Sequence, residues 1–184
     1  MTGPARLPLL FLDVDGTLIP FGATPEQLPG GYPVYDYPLA PHLEETHPLL
    51  ARIDPALGPR LMALPCELVW ATTWEYDANL WIGPLLGLPE LPVVCWPDHS
   101  DAPPSHGLHW KTRTLLGWSA GRAFAWADDE ITAADQNWVA ARHPAPALLQ
   151  RIDPRCGITD QDFAALDAWL RDAGNTGPRP GGPR

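Results

Sequence analysis

Apolar residues fall in short unbroken runs, separated by longer stretches where they recur with helical spacing. The runs are residues 7–15 (LPLLFLDVD), 66–72 (CELVWAT), 91–96 (LPVVCW), 122–128 (RAFAWAD) and 147–152 (ALLQRI). A strand covered on both faces reads as a continuous apolar run, because neither side meets water. Helices are predicted between the runs, over 55–64, 75–86 (interrupted by Gly83-Pro84), 111–118, 131–142 and 159–173. Asp54 with Pro55, and Thr159 with acidic residues behind it, have the chemistry of helix starts. Strands alternating with helices predict an α/β fold: a central parallel sheet of about five strands in a three-layer α/β/α arrangement. Ligands in such sheets bind beyond the carboxyl ends of the strands. Asp13 and Asp15, Thr72 and Thr73, and Asp128 and Asp129 all fall at those ends, so three runs deliver polar groups to one edge.

The length of 184 residues fits one domain with a full core, taken as residues 1–173, followed by a Gly/Pro-rich tail at 174–184 expected to be disordered. No apolar run approaches the length needed to span a bilayer. The first run is broken by Asp13 and Asp15, which makes it a poor secretion signal, so a cytoplasmic protein is expected. A net charge of −10 opposes a broad grip on nucleic-acid phosphates, so no stable DNA binding is expected, although a small local basic site remains compatible. Cys66, Cys95 and Cys156 have no CxxC spacing and read as buried free thiols. The basic residues are eleven arginines and a single lysine, Lys111.

The densest chemistry lies in Asp13-Val14-Asp15-Gly16-Thr17-Leu18. Residues i and i+2 of an extended segment point the same way, so two carboxylates face one spot at the end of a buried strand. Like charge and desolvation both oppose that arrangement. A divalent cation relieves it, and hard oxygen donors suit Mg2+. Gly16 permits a sharp exit from the strand.

The string DVDGTL resembles the first motif of the haloacid dehalogenase superfamily, and the other three motifs follow in order. Thr72 closes a hydrophobic strand, as in the second. Lys111 opens a helix after His109-Trp110, as in the third. Asp128-Asp129 ends Ala125-Trp126-Ala127, as in the fourth. The resemblance implies a Rossmann-like fold and a magnesium-dependent phosphatase working through an aspartyl-phosphate, with Asp13 as nucleophile and Asp15 as acid and base. It implies that Thr72 contacts a phosphate oxygen, or Thr73 in its place, and that Lys111 stabilises charge. The metal set it implies is drawn from Asp13, Asp15, Asp128 and Asp129, with the last two undivided as to which binds directly. Gly16, Thr73 and Trp74 would lie against the substrate. A carboxylate at Asp15 fits phosphate-ester hydrolysis rather than carbon–halogen cleavage.

The interval between Asp15 and Thr72 has room for a small β-hairpin flap, over about residues 20–53, but not for a folded cap domain, so an open site is expected. Trp74 and Trp110 neighbour the motifs, either as stacking platforms or as packing, whereas Trp70, Trp126, Trp138 and Trp169 read as core. The string from Val69 to Asn79 (VWATTWEYDAN) also resembles the haloacid dehalogenase domains of bacterial Swiss-army-knife RNA repair proteins. That likeness implies a phosphorylated small molecule or a nucleic-acid end as substrate. His99, His106 and His109 read as solvent-exposed loop residues. Two other classes remain open: a catalytically silent domain that binds a phosphorylated ligand, and a phosphotransferase.

Overall fold

The computed structural model describes residues 6–37, 47–97 and 107–175. Four parallel strands form the sheet: β1 (Leu9–Leu12), β2 (Glu67–Trp70), β3 (Phe124–Asp128) and β4 (Ala147–Arg151), in the spatial order β2-β1-β3-β4. Among the described residues five α-helices accompany them: α1 (Leu57–Met62), α2 (Gly83–Leu86), α3 (Thr112–Ser119), α4 (Ala133–Arg142) and α5 (Asp160–Asn175).

Side chains on the two faces of β1 belong to different cores. Leu10 and Leu12 pack with Leu57 and Leu61 of α1, Leu85 of α2 and Leu166 and Leu170 of α5. Leu9 and Phe11 pack with Phe124 and Trp126 of β3, Leu115 of α3 and Val139 of α4. Helices therefore cover both faces, which is why the strand is apolar without alternation. Each fully buried leucine removed from water contributes about 2 kcal/mol.

The strand predicted at 91–96 is reduced to a single bridge. Val93 pairs with Trp70; Trp70 N donates to Pro92 O, and Val94 N donates to Trp70 O, both at 2.9 Å. Pro92 lacks the N–H that would extend the ladder. The helix predicted over 75–86 forms instead as a π turn, Ala78–Ile82, running into α2. Gly83 N reaches back to Ala78 O, and Pro84 offers no N–H to the ordinary ladder. Residues 55 and 56 form a turn ahead of α1, with Asp54 accepting from Ala56 N at 2.8 Å, so Asp54 caps the turn and not the helix. Thr159 does cap α5, through reciprocal bonds with Asp162.

No strand forms at 20–37 or 47–53, so the described residues carry no hairpin; residues 38–46 lie outside them. Prolines at 20, 25, 29 and 33 remove the donors a hairpin needs. The segment lies on the core through other bonds: Tyr35 N to Ala51 O, the Tyr37 hydroxyl to Ile53 O, and Arg52 Nη1 to Pro20 O at 3.1 Å. The described tail residues Gly174 and Asn175 belong to α5; 176–184 lie outside the described residues. Cys66 is half-buried, and Cys95 and Cys156 are exposed, so the thiols are free but not all buried. Among the described residues, no helix is long and apolar enough to cross a membrane.

Candidate active site

β1, β2 and β3 run in the same direction, so their carboxyl ends share one edge. Leu12 is in register with Trp70 on one side and Ala127 on the other. Asp13 N donates to Ala127 O at 3.1 Å, which seats Asp13 beside Asp128 on the neighbouring strand. The chain leaves β1 toward α1 on one face and leaves β3 toward α4 on the other. A crevice opens where connections diverge in this way, and both aspartates stand in it.

Lys111 comes from across the crevice, in the turn that opens α3. Its Nζ donates to Asp13 Oδ1 at 2.6 Å and to Asp128 Oδ2 at 2.8 Å, with all three side chains at most 7% exposed. Burial works against the ammonium, but the two carboxylates outweigh it and hold its pKa above the ordinary value. Asp128 is held further by Trp126 Nε1 at 3.2 Å and by Glu130 N at 2.9 Å.

The acids outnumber the base. Asp13 is pushed up to about 7, first by burial and then by the charge of Asp128, against the pull of Lys111. Asp129 is pushed up to about 6 by burial and by its neighbours Asp128 and Glu130. Asp13, Asp128 and Asp129 each offer an oxygen within 4.8 Å of the others. Three carboxylates against one ammonium is a site short of positive charge. Carboxylate oxygens at this spacing could hold a metal ion, which would supply that charge.

Asp15 stands apart from this group. Its carboxylate accepts from Trp74 Nε1 at 2.9 Å, so of the four sequence-assigned ligands the described geometry brings together Asp13, Asp128 and Asp129. Gly16 takes φ +75°, and a Cβ there would lie 2.4 Å from Asp129 Cγ. The glycine thus permits close contact between the loop after β1 and the acidic loop after β3. Thr72 is fully buried at the end of β2, its Oγ1 accepting from Trp74 N at 3.3 Å and its carbonyl from Trp96 Nε1 at 2.9 Å. Thr73 is exposed. Trp74 is half-buried and Trp110 is 38% exposed.

Several positioning groups are not legible as such in the sequence. Asp135 is fully buried and takes four bonds: His109 N and the Thr112 hydroxyl on Oδ1, and Thr132 N and its hydroxyl on Oδ2. Burial alone would raise its pKa, but these donors lower it. It ties the turn that carries Lys111 to the start of α4, just past the acidic loop. The capping box Thr132–Asp135 was the available signal. His109 is not solvent-exposed as expected: its side chain is 7% exposed. Lys111 N donates to its Nδ1 at 3.2 Å, so Nε2 carries the proton toward Glu130 Oε2 at 2.9 Å. His109, Asp128 and Glu130 also cluster closely enough for a cation, but both ring nitrogens of His109 are already committed. His99 and His106 lie outside the described residues.

An open cavity of about 600 Å³ adjoins the acidic loop, lined by Phe21, Gly22, Arg151 and Arg155 among others. Arg151 Nε donates to Asp129 O at 3.1 Å.

No protein-family model matches the chain, and neither curated proteins nor solved structures include a significant match to it.

Proposed function

We propose that this chain is a magnesium-dependent phosphomonoester hydrolase of the haloacid dehalogenase type, working through an aspartyl-phosphate on Asp13. The observation that carries the reading is the bridge from Lys111 to Asp13 and Asp128, with Asp129 alongside. It joins three motifs, far apart in sequence, at the sheet edge where ligands bind.

Mg2+, held by Asp13, Asp128 and Asp129, would neutralise phosphate charge and orient the phosphoryl group. An Asp13 oxygen attacks phosphorus as the ester P–O bond breaks, splitting one difficult displacement into two. Asp15 gives a proton to the departing oxygen, then takes one from the water that cleaves the aspartyl-phosphate. Lys111 stabilises charge building on the phosphoryl oxygens and on Asp13. The buried Thr72 hydroxyl, or that of exposed Thr73, bonds a non-bridging oxygen.

The substrate class is a phosphorylated small molecule or a nucleic-acid end, admitted by a site over which no second sheet folds among the described residues. The test is phosphate release with magnesium, for wild type and Asp13→Asn. The panel holds sugar phosphates, mononucleotides, 3′- and 5′-phosphorylated RNA ends and p-nitrophenyl phosphate. Metal-dependent release that Asp13→Asn abolishes is expected. Release that persists in Asp13→Asn overturns the mechanism. No release from any member moves the reading to a silent binding domain, and transfer to added alcohols in preference to water makes it a phosphotransferase.

A further inference from the structure

We infer that Trp74 is a positioning residue for the proton donor, and that the rate depends on it in proportion to how much the leaving group needs a proton. This rests on the phosphatase reading above.

Trp74 Nε1 donates to Asp15 Oδ2 at 2.9 Å across 59 residues of sequence. An indole N–H only donates, so Oδ2 is held as an acceptor and a proton on this carboxyl sits on Oδ1. An unrestrained aspartate carboxyl turns broadly about its last torsion and presents its two oxygens interchangeably. Here one oxygen is engaged, and the other is left to meet the substrate.

Both ends of the bond are braced. Val14 O accepts from Thr17, Leu18 and Ile19 N, which winds the loop beyond Asp15 into a tight turn. Trp74 N donates to Thr72 Oγ1, and the indole packs edge-on against His47, with ring centroids 5.3 Å apart. Glu75, directly after Trp74, adopts φ +47°. A residue other than glycine is strained in that conformation. It persists where the chain turns back from β2 and brings the indole over the loop after β1.

In the first step the Asp13–phosphorus bond forms, the ester bond breaks, and its electron pair goes to the leaving oxygen, which takes the proton from Asp15 Oδ1. In the second, the water–phosphorus bond forms, the Asp13–phosphorus bond breaks, and a water proton returns to Oδ1. Trp74 touches no reacting atom. It fixes which oxygen of Asp15 faces them.

The test compares kcat/KM, with magnesium, for glycerol 2-phosphate and p-nitrophenyl phosphate. The alkoxide of the first needs a proton to leave; the nitrophenolate of the second does not. Trp74→Phe should lose roughly a hundredfold on glycerol 2-phosphate, the lower range for a general acid, with little change on p-nitrophenyl phosphate. Asp15→Asn should lose at least as much kcat/KM on glycerol 2-phosphate, and its kcat should fall on both esters, because the second step needs the same carboxylate. Trp74→Gln retains an N–H donor and should recover most of the loss. Circular dichroism checks folding, and Trp74→Met replaces Trp74→Phe if that variant does not fold. Equal loss on both esters, or no loss on glycerol 2-phosphate, overturns the inference alone. A wild type that releases phosphate from neither ester overturns the phosphatase reading, and this inference with it.

Discussion

Asp13 and Asp128 stand side by side at the ends of neighbouring strands and share one ammonium, that of Lys111, at 2.6 and 2.8 Å. Each carboxylate is satisfied by a charge that the other also uses. Removing the lysine therefore strands two buried anions at once.

Lys111→Met keeps the apolar stem of the side chain and deletes its charged end. Breaking a buried pair from one side costs about 3–5 kcal/mol. Urea unfolding in a chelator should show a loss of that order, and magnesium should restore part of it by substituting for the missing charge. Phosphate release should fall by a factor of at least about a hundred, as for loss of one group stabilising transition-state charge. Unchanged stability in the chelator would mean that the lysine does not neutralise Asp13 and Asp128.

The pH dependence has a definite sign. The folded-state pKa of Asp13 is raised from 3.8 to about 7, and that of Asp129 to about 6, so the folded chain holds protons that the unfolded chain releases. Their stabilising contribution is full below about 4 and is lost as pH rises toward 7. Exposed Asp153, lowered to about 2 by Arg155, acts with the opposite sign, but below this window. In a chelator, the melting temperature of wild type should fall relative to Asp13→Asn across the window. Magnesium should flatten the difference, because the cation competes with those protons. A difference independent of pH would contradict the raised Asp13 pKa.

Gly16→Ala places a methyl group 2.4 Å from Asp129 Cγ on a backbone at φ +75°. The backbone term alone costs about 1–2 kcal/mol. Asp129 must also move away from Asp13 and Asp128. Calorimetric titration should show weakened magnesium binding along with the lower stability. Retained metal affinity would show that Asp129 is not needed for the ion.

Asp135→Asn removes one of two acceptor oxygens, each of which takes two bonds. Hydrogen bonds to a charged group are worth about 1.5–3 kcal/mol, so a stability loss of that order is expected. Amide exchange should quicken around Lys111 and Thr132 more than in β1. A uniform change across the chain would mean that Asp135 supports the fold at large and not the placement of Lys111.

The apolar runs carried the four paired strands into view, because a strand buried on both faces has no polar positions to blur its pattern. Edges were less legible. The run at 91–96 has the same composition as the others, but Pro92 interrupts its donors at the rim of the sheet, and only Val93 pairs. The turn-rich interval after Asp15 suggested a hairpin by its length, whereas its prolines favour turns. Asp13, Lys111 and Asp128 could be singled out, since charges at the ends of apolar strands, and a lysine unique in the chain, are unusual. Asp135 could not be singled out for its role. A capping aspartate on a helix looks the same whether or not its second oxygen reaches another turn. Trp74 was visible as an aromatic beside a motif, but its bond to Asp15 joins two loops that only the folded chain brings together.

Because the chain contains a single lysine, its only side-chain amine is the one enclosed between Asp13 and Asp128. Amine-directed acylating reagents therefore have one side-chain address here, on a side chain only 4% exposed in the closed fold. Acylation there reports opening of the crevice. A lysine-specific protease, likewise, has one bond to cut, after Lys111, and its cleavage rate is a clock for local unfolding at the start of α3.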